Sequence, residues 1–305
     1  MLLINTRSNT IAALPFAWPV NAASEQVTAR RLANKDLPEV LAFLAEQPLH
    51  NVIMAGMIRD NGLDSKLNRG TFHVCRNRRG ALEGVALIGH ATLIDARTDR
   101  ALRAFARLAQ NCDDTHMIMG EQERIDDFWR HYANDGQELR LACRELLFEL
   151  TSVENSSQGV PGLRLATLDD LDLVAPVQAE LAFAESGVNP SEIDPQGFRA
   201  RYARRIAQGR TWLLVENDRL LFKAEVQSET PEVIYLEGIY IDPELRGQGH
   251  GHRCLTQLCG ILLTRADSIC LLANERNELA QQFYQQVGFK LRDYYDTIFL
   301  RRRDC

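Results

Sequence analysis

Three features of the sequence predict an α/β (α+β) chain made of two tandem domains. Residues 233 to 251 read as a strand that runs through a glycine-rich turn into a helix. A polar, turn-rich stretch at residues 151 to 162 divides the 305 residues into halves of similar length. The two halves then repeat one order of elements: a strand, two helices and a hairpin. That hairpin begins at Gly70-Thr71-Phe72 in the first half and at Arg210-Thr211-Trp212 in the second. The expected division is an irregular extension at 1–24, a first domain at 25–150, a linker at 151–162 and a second domain at 163–305.

In the first half, residues 27 to 31 read as a short strand. A helix capped near Asn34 or Asp36 follows, because Leu37, Val40, Leu41 and Leu44 fall on one face. Pro48 suits a first helical turn and opens a second helix, with Leu49, Val52, Ile53 and Met57 turned inward. Residues 71 to 76 and 82 to 88 are strands joined by the polar turn Asn77-Arg78-Arg79-Gly80, a hairpin. Next come a strand at 91 to 95, a helix at 98 to 109 through Leu102, Phe105 and Leu108, and a strand at 116 to 119. Ile125, Phe128, Trp129 and Tyr132 mark another helix, and residues 139 to 150 a closing strand. In the second half residues 163 to 166 are a strand, and Thr167 caps the next helix with Asp170 three residues on. Leu171, Val174, Gln178 and Leu181 share one face of that helix, and Pro176 within it predicts a kink or a break. A second helix carries Phe198, Tyr202 and Ile206, and residues 211 to 215 and 220 to 227 form a hairpin around Asn217-Asp218.

The chemistry is concentrated after that hairpin. β-Branched and aromatic residues alternate up to Ile241, Asp242-Pro243 ends the strand, and Arg246-Gly247-Gln248-Gly249-His250-Gly251 opens a helix. Such a turn is an anion site, because first-turn N–H groups lack intrahelical partners, the helix dipole is positive there, and glycines let a phosphate approach the backbone. The spacing fits neither the dinucleotide fingerprint nor the P-loop, and the loop holds no lysine. It fits R-x-x-G-x-G, which resembles the pyrophosphate loop of the GNAT superfamily, the acyl-CoA-dependent N-acyltransferases. Downstream, residues 271 to 289 resemble that family's closing segment: a strand and Asn274, then a helix with Ala280 and Tyr284 that ends in Gly288-Phe289. The resemblance covers residues 163 to 300, about half of the chain. It implies, for each domain, a mixed, mostly antiparallel sheet flanked by helices. It also marks the first half as a degenerate copy. Where the glycine loop should recur, residues 95 to 102 read Asp-Ala-Arg-Thr-Asp-Arg-Ala-Leu, and Phe128 and Trp129 stand near the place of Tyr284.

The resemblance further implies acetyl-CoA as co-substrate and direct transfer of its acetyl group to a primary amine of a small molecule or peptide. Ile239, Tyr240 and Ile241 would give backbone contacts to pantetheine. Gly247, Gln248, Gly249, His250 and Gly251 would present N–H groups to the pyrophosphate, while Arg246 either adds charge to a phosphate or caps the turn. Asn274 and Asn277 are matched to cofactor contacts, with capping of the helix as the other role for Asn277. Tyr284 matches the family's proton donor to the departing thiolate; a phenol stays protonated until the sulfur needs the proton. Glu237 is the candidate base for the attacking amine, or else orients substrate, and Glu185 is a candidate acceptor contact. A non-enzymatic acyl-CoA-binding regulatory module is the competing class; it would keep the loop and need neither Tyr284 nor Glu237.

Composition narrows the partners. A net charge of -6 opposes nucleic-acid binding, which needs clustered excess Lys and Arg. Seven cysteines without paired spacing suggest reduced thiols and a cytoplasmic protein. His250 and Cys254 lie four apart on one predicted helix but lack companion ligands, so no metal is expected, and Cys259 is expected in the core. Residues 11 to 20 are interrupted by two prolines and led by only one nearby positive charge, so no signal peptide is expected. No run is long enough for a bilayer span, so no membrane partner is expected.

Overall fold

The computed structural model describes residues 28–153 and 159–301. The expected extension at 1–24, Val27 and the middle of the linker lie outside the described residues. The first half runs β1 (Ala29–Arg31), α1 (Leu37–Ala45), α2 (Pro48–Asn61), β2 (Gly70–Arg76), β3 (Leu82–Gly89), β4 (Ala91–Ala96), α3 (Asp99–Gln110), β5 (Met117–Glu121), α4 (Gln122–Tyr132) and β6 (Leu139–Leu150). The second half runs β7 (Arg164–Leu165), α5 (Leu171–Ser186), α6 (Pro190–Ile193), α7 (Pro195–Ala207), β8 (Thr211–Glu216), β9 (Arg219–Glu229), β10 (Val233–Ile241), α8 (His250–Leu262), β11 (Ser268–Asn274), α9 (Glu278–Val287) and β12 (Lys290–Leu300).

The duplication read from the sequence recurs in side-chain detail. Each half enters its first helix through a carboxylate six residues after an arginine. Arg30 grips Asp36 with two bonds of 2.9 and 2.7 Å, and Asp36 also takes the Ala33 N–H. Arg164 grips Asp170 at 2.7 and 2.8 Å, and Asp170 takes the Thr167 N–H. The arginine at the head of this arrangement holds both carboxyls below the usual carboxylate range.

Among the described residues twelve strands form one sheet, in the order β1-β2-β3-β4-β5-β12-β6-β11-β10-β9-β8-β7. The pairs β4–β5 and β10–β11 are parallel and the rest antiparallel. The two halves therefore exchange their last strands. The first half's β6 pairs with β11 from Ile269↔Leu150 to Asn274↔Glu145, and the second half's β12 pairs with β5 from Tyr295↔Glu121 to Phe299↔Met117. The boundary at residues 151–162 is where the chain crosses between halves, yet the sheet does not divide there.

Helices cover both faces of the sheet. On one face, α1 and α2 pack on Phe72, Val74, Val85 and Leu87, and α5 and α7 pack on Leu213 and Leu220. On the other, α3 and α4 pack on Ile118, Ile298 and Leu300, and α8 and α9 on Phe148, Leu236 and Leu271. Helix α2 also reaches the second half, where the Ser228 hydroxyl donates to the Val52 carbonyl at 2.7 Å. One expectation is corrected: α5 runs unbroken through Pro176. Pro176 is only the sixth residue of this helix, so it deletes one bond close to the frayed first turn.

Candidate active site

The site begins where two parallel strands part. β10 pairs with β11 only from Val233↔Ser268 to Leu236↔Leu271. Beyond that point β10 stays with β9 and β11 stays with β6, so residues 237–241 and 272–274 face each other across an open wedge. A bulge sets the divergence: Glu237 stands opposite Glu225 and Tyr240 opposite Lys223, so β10 carries one residue more than β9. Gly238, with φ 60°, lies in this bulge. The extra residue also resets the alternation of side chains. Leu236 faces α8, and after the bulge it is Ile239 and Ile241 that pack there, while Tyr240 turns toward α5 and α7. Free backbone on Ile239, Tyr240 and Ile241 along the wedge is what an extended pantetheine arm needs.

The glycine loop closes the end of that wedge. Asp242 caps the turn by accepting the Glu244 N–H at 2.9 Å, and Arg219 holds its carboxylate at 2.5 and 2.6 Å. Gly247 and Gly249 have φ of 74° and 79°, and a Cβ built on either meets nothing within 4 Å. The left-handed backbone demands glycine, and the space beside it is an open cradle. Gly251 has a different reason: a Cβ there would lie 2.2 Å from Ile241 Cδ1, so this glycine lets α8 sit directly on β10. The first intrahelical bond runs from Arg253 N–H to Gly249 C=O at 3.1 Å, which leaves the N–H groups of His250, Gly251 and His252 without an i−4 partner. Arg246 is exposed and donates to the Ile241 carbonyl at 3.1 Å, and Gln248 donates to the Glu244 carbonyl at 2.5 Å; both side chains brace the loop. An empty cradle lined by unpaired N–H groups at a helix start fits the pyrophosphate of an acyl-CoA.

Three carboxylates converge at the wide end of the wedge. Glu237 on β10 is half-buried, and its carboxylate has no hydrogen-bond partner among the described residues. Burial pushes it above the usual carboxylate range; Arg205 and Lys223 oppose this and Glu225 adds to it. Glu185, at the end of α5, is pushed up to about 8 by its surroundings and by the charges of Glu237 and Glu145, although solvent at its exposed side screens part of the effect. The third, Glu145, comes from β6 of the first half and sits opposite Asn274. Burial raises it as well, against a 2.6 Å bond from the Thr297 hydroxyl. Sequence reasoning missed Glu145, because only the exchange of strands brings it here.

On the other face Tyr284 packs among Phe148, Phe283 and Phe289 with ring centroids 5.5–6.3 Å away. Its hydroxyl meets no hydrogen-bond partner among the described residues, and burial holds it protonated well above an ordinary phenol, with Glu185 adding to the shift. The two asparagines shape the start of α9. Asn277 caps it by accepting the Ala280 N–H at 3.1 Å, and Asn274 accepts the Arg276 N–H at 2.9 Å.

The first half has the same wedge without the chemistry. β4 and β5 pair from Ala91↔Met117 to Leu93↔Met119 and then part. Into the gap reaches Arg124, ion-paired to the buried Asp95 and bonded to Gln47 at 3.2 Å, while Asn51 holds the other Asp95 oxygen at 2.7 Å. Ile94, the first residue past the last pair, stands where Glu237 stands in the second half. Helix α3 begins under a Thr98 cap with Asp99 in its first turn, and Phe128 follows its helix cap by seven residues, as Tyr284 does.

No group of His, Cys, Asp and Glu among the described residues could hold a metal ion, and Cys254, beside His250 in sequence, is buried with its thiol pushed up to about 11 by burial. Cys259 is a core residue. Among the described residues no helix is long and apolar enough to cross a membrane.

Comparison with known proteins agrees with this geometry. A family model described as an acetyltransferase (GNAT) domain matches residues 207–291. None of the curated proteins matches the sequence. Among solved structures the chain resembles a Drosophila protein (TM-score 0.65, 10% identity, 91% of this chain and 100% of that one). It also resembles a GNAT-family acetyltransferase from Colwellia psychrerythraea (0.55, 14%, 90% and 100%). A tandem GNAT protein from the clavulanic acid biosynthesis pathway matches in the same way (0.54, 16%, 91% and 100%). At these identities the likeness is one of fold.

Proposed function

We propose that this chain, which belongs in its C-terminal half to the GNAT acetyltransferases and is built as a tandem GNAT protein, is an acetyl-CoA-dependent N-acetyltransferase acting on a primary amine of a small molecule or peptide. The observation that carries the reading is the wedge between β10 and β11 with the open glycine cradle at its end; the unpartnered Tyr284 hydroxyl and the raised carboxyls of Glu237 and Glu185 supply the groups that the chemistry needs. Acetyl-CoA would supply the activated acetyl thioester, lying along Ile239, Tyr240 and Ile241 with its pyrophosphate against Gly247, Gln248, Gly249, His250 and Gly251. Glu237 removes a proton from the incoming ammonium. Its raised value suits this, since a base works best when its pKa approaches the working pH. Tyr284 delivers a proton to the departing sulfur, and its burial keeps that proton in place until then. Glu185 and Glu145 stand on the acceptor side, where burial holds both carboxyls above the usual carboxylate range. Residues 163–305 are the catalytic half, and residues 25–150 a degenerate half that binds no cofactor and supplies Glu145.

The experiment is calorimetry with acetyl-CoA on the wild type and on Gly249→Glu, followed by a free-thiol release assay over a panel of amines and peptides. Loss of binding in a folded Gly249→Glu variant is expected, because the new carboxylate occupies the cradle at a strained φ. Undiminished affinity would remove the basis of the assignment. Tight binding with no turnover on any acceptor would overturn the enzymatic reading in favour of a regulatory module.

A further inference from the structure

Lys223 lies in the middle of β9 and is 0% exposed. A lysine in a dry interior is costly unless all three ammonium protons are satisfied. Here Nζ donates to Gln178 Oε1 at 2.7 Å and to the Gly238 carbonyl at 2.9 Å, and it forms an ion pair with Glu225 Oε1 at 2.7 Å. Glu225 is in turn held by the Tyr202 hydroxyl and by Arg205 at 3.4 Å. The Gly238 carbonyl belongs to the bulge, and a Cβ on Gly238 would stand 2.9 Å from both Lys223 Nζ and Gln178 Oε1. The ammonium thus ties α5, β9 and the bulge of β10 at one point.

We propose that Lys223 is a positioning residue for the acyl-transfer site: by holding the Gly238 carbonyl it fixes the bulged register of β10, and so the wedge edge and Glu237. The inference rests on the function proposed above only for its binding readout. The physical reason is the period of a strand. Without the extra residue, Ile239, Tyr240 and Ile241 would exchange faces, and Ile241 would leave its place beneath Gly251 of α8. A bulge takes its residue out of the regular ladder, and Lys223 supplies the Gly238 carbonyl with a donor that favours the bulged register.

The test compares the wild type with Lys223→Met/Glu225→Gln, which removes both buried charges together, and with Gln178→Met, which keeps the ion pair and loosens only the α5 side of the tie. Hydrogen exchange of the ligand-free proteins is read over residues 236–242 against the β2–β3 hairpin, and acetyl-CoA affinity is measured beside KM and kcat. Exchange in that segment alone is expected to rise about tenfold or more, with a loss of acetyl-CoA affinity of similar size, since small displacements at a binding edge are magnified. Gln178→Met should move both quantities in the same direction by less, and it decides the matter if the double variant does not fold. A folded variant whose segment protection and affinity match the wild type, or a uniform rise in exchange across the molecule, would overturn the proposal. Failure of the wild type itself to bind acetyl-CoA would instead count against the proposed function, and the exchange data would still judge the tie.

Discussion

Residues 159–301 produced alone are expected not to fold into an active domain, although they contain the whole glycine loop and Tyr284. The perturbation removes β6, the strand between β11 and β12. With it go Leu147, Phe148 and Leu150, each at most 2% exposed. At about 1.5–3 kcal/mol for each fully buried side chain, their loss is worth roughly 5–9 kcal/mol. That is comparable to the roughly 5–15 kcal/mol total stability of an ordinary domain. The loss is compounded because Ile298 and Leu300 on β12 also forfeit the cover of α3 and α4, and the freed edges of β11 and β12 invite association. Circular dichroism melts and acetyl-CoA calorimetry on the fragment, alone and co-produced with residues 28–153, provide the assay. The fragment alone should aggregate or melt without cooperativity, and co-production should restore binding. A monomeric fragment that melts at the wild-type temperature and binds acetyl-CoA with wild-type affinity would refute the reasoning.

Tyr284→Phe should lower kcat by roughly 10²–10⁴ while leaving acetyl-CoA affinity within a few-fold, the signature of a lost general acid; unchanged turnover would remove Tyr284 from the mechanism. The acid limb of the kcat/KM profile should lie above the usual carboxylate range, because burial raises Glu237 and the base works only when deprotonated, above that raised value. Burial and the charge of Glu237 in turn raise Glu185 to about 8, so the profile should carry a second, higher ionisation that Glu185→Gln removes; a profile that the variant leaves unchanged would show that the two carboxylates do not share the site. Titration with acetyl-CoA should saturate at one equivalent per chain, since α3 begins under a Thr98 cap with Asp99 in its first turn and without a glycine loop; two equivalents would contradict this.

What was legible in the sequence is what depends on neighbours along the chain. The loop from Arg246 to Gly251 announced itself because positive φ and an open helix start require glycines at fixed spacing. The repeat was legible because each half runs strand, two helices and hairpin, with matching hairpin starts at Gly70-Thr71-Phe72 and Arg210-Thr211-Trp212; the shared Asp36 and Asp170 capping emerged only in the structure. Strand order was not. Residues 139 to 150 read correctly as a strand, but alternation says which side chains share a face and nothing about which strand lies beside them. Glu145 therefore carried no signal until β6 was found next to β11. Lys223 and Glu225 were hidden for a related reason: two charges two apart on a strand have the pattern of a solvated face, whereas α5 and α7 cover them. Asn277 caps α9, one of the two roles that its place ahead of an apolar run allowed, and the cofactor contact stays a proposal.

On the proposed reading, the exchange of last strands accounts for the retention of a first half without transfer chemistry of its own. There Arg124 pairs with the buried Asp95 beside the wedge, and Phe128 stands at the position of Tyr284. Asn51 and Gln47 brace that pair, so both of its charges have partners. Yet β6 of the same half lies against β11, holds Glu145 at the acceptor end and carries Phe148, on which the Tyr284 ring packs. On that reading, deleting the first half would take one side of the proposed acceptor pocket and the packing around Tyr284, so the shared sheet gives the first half a part in the proposed site.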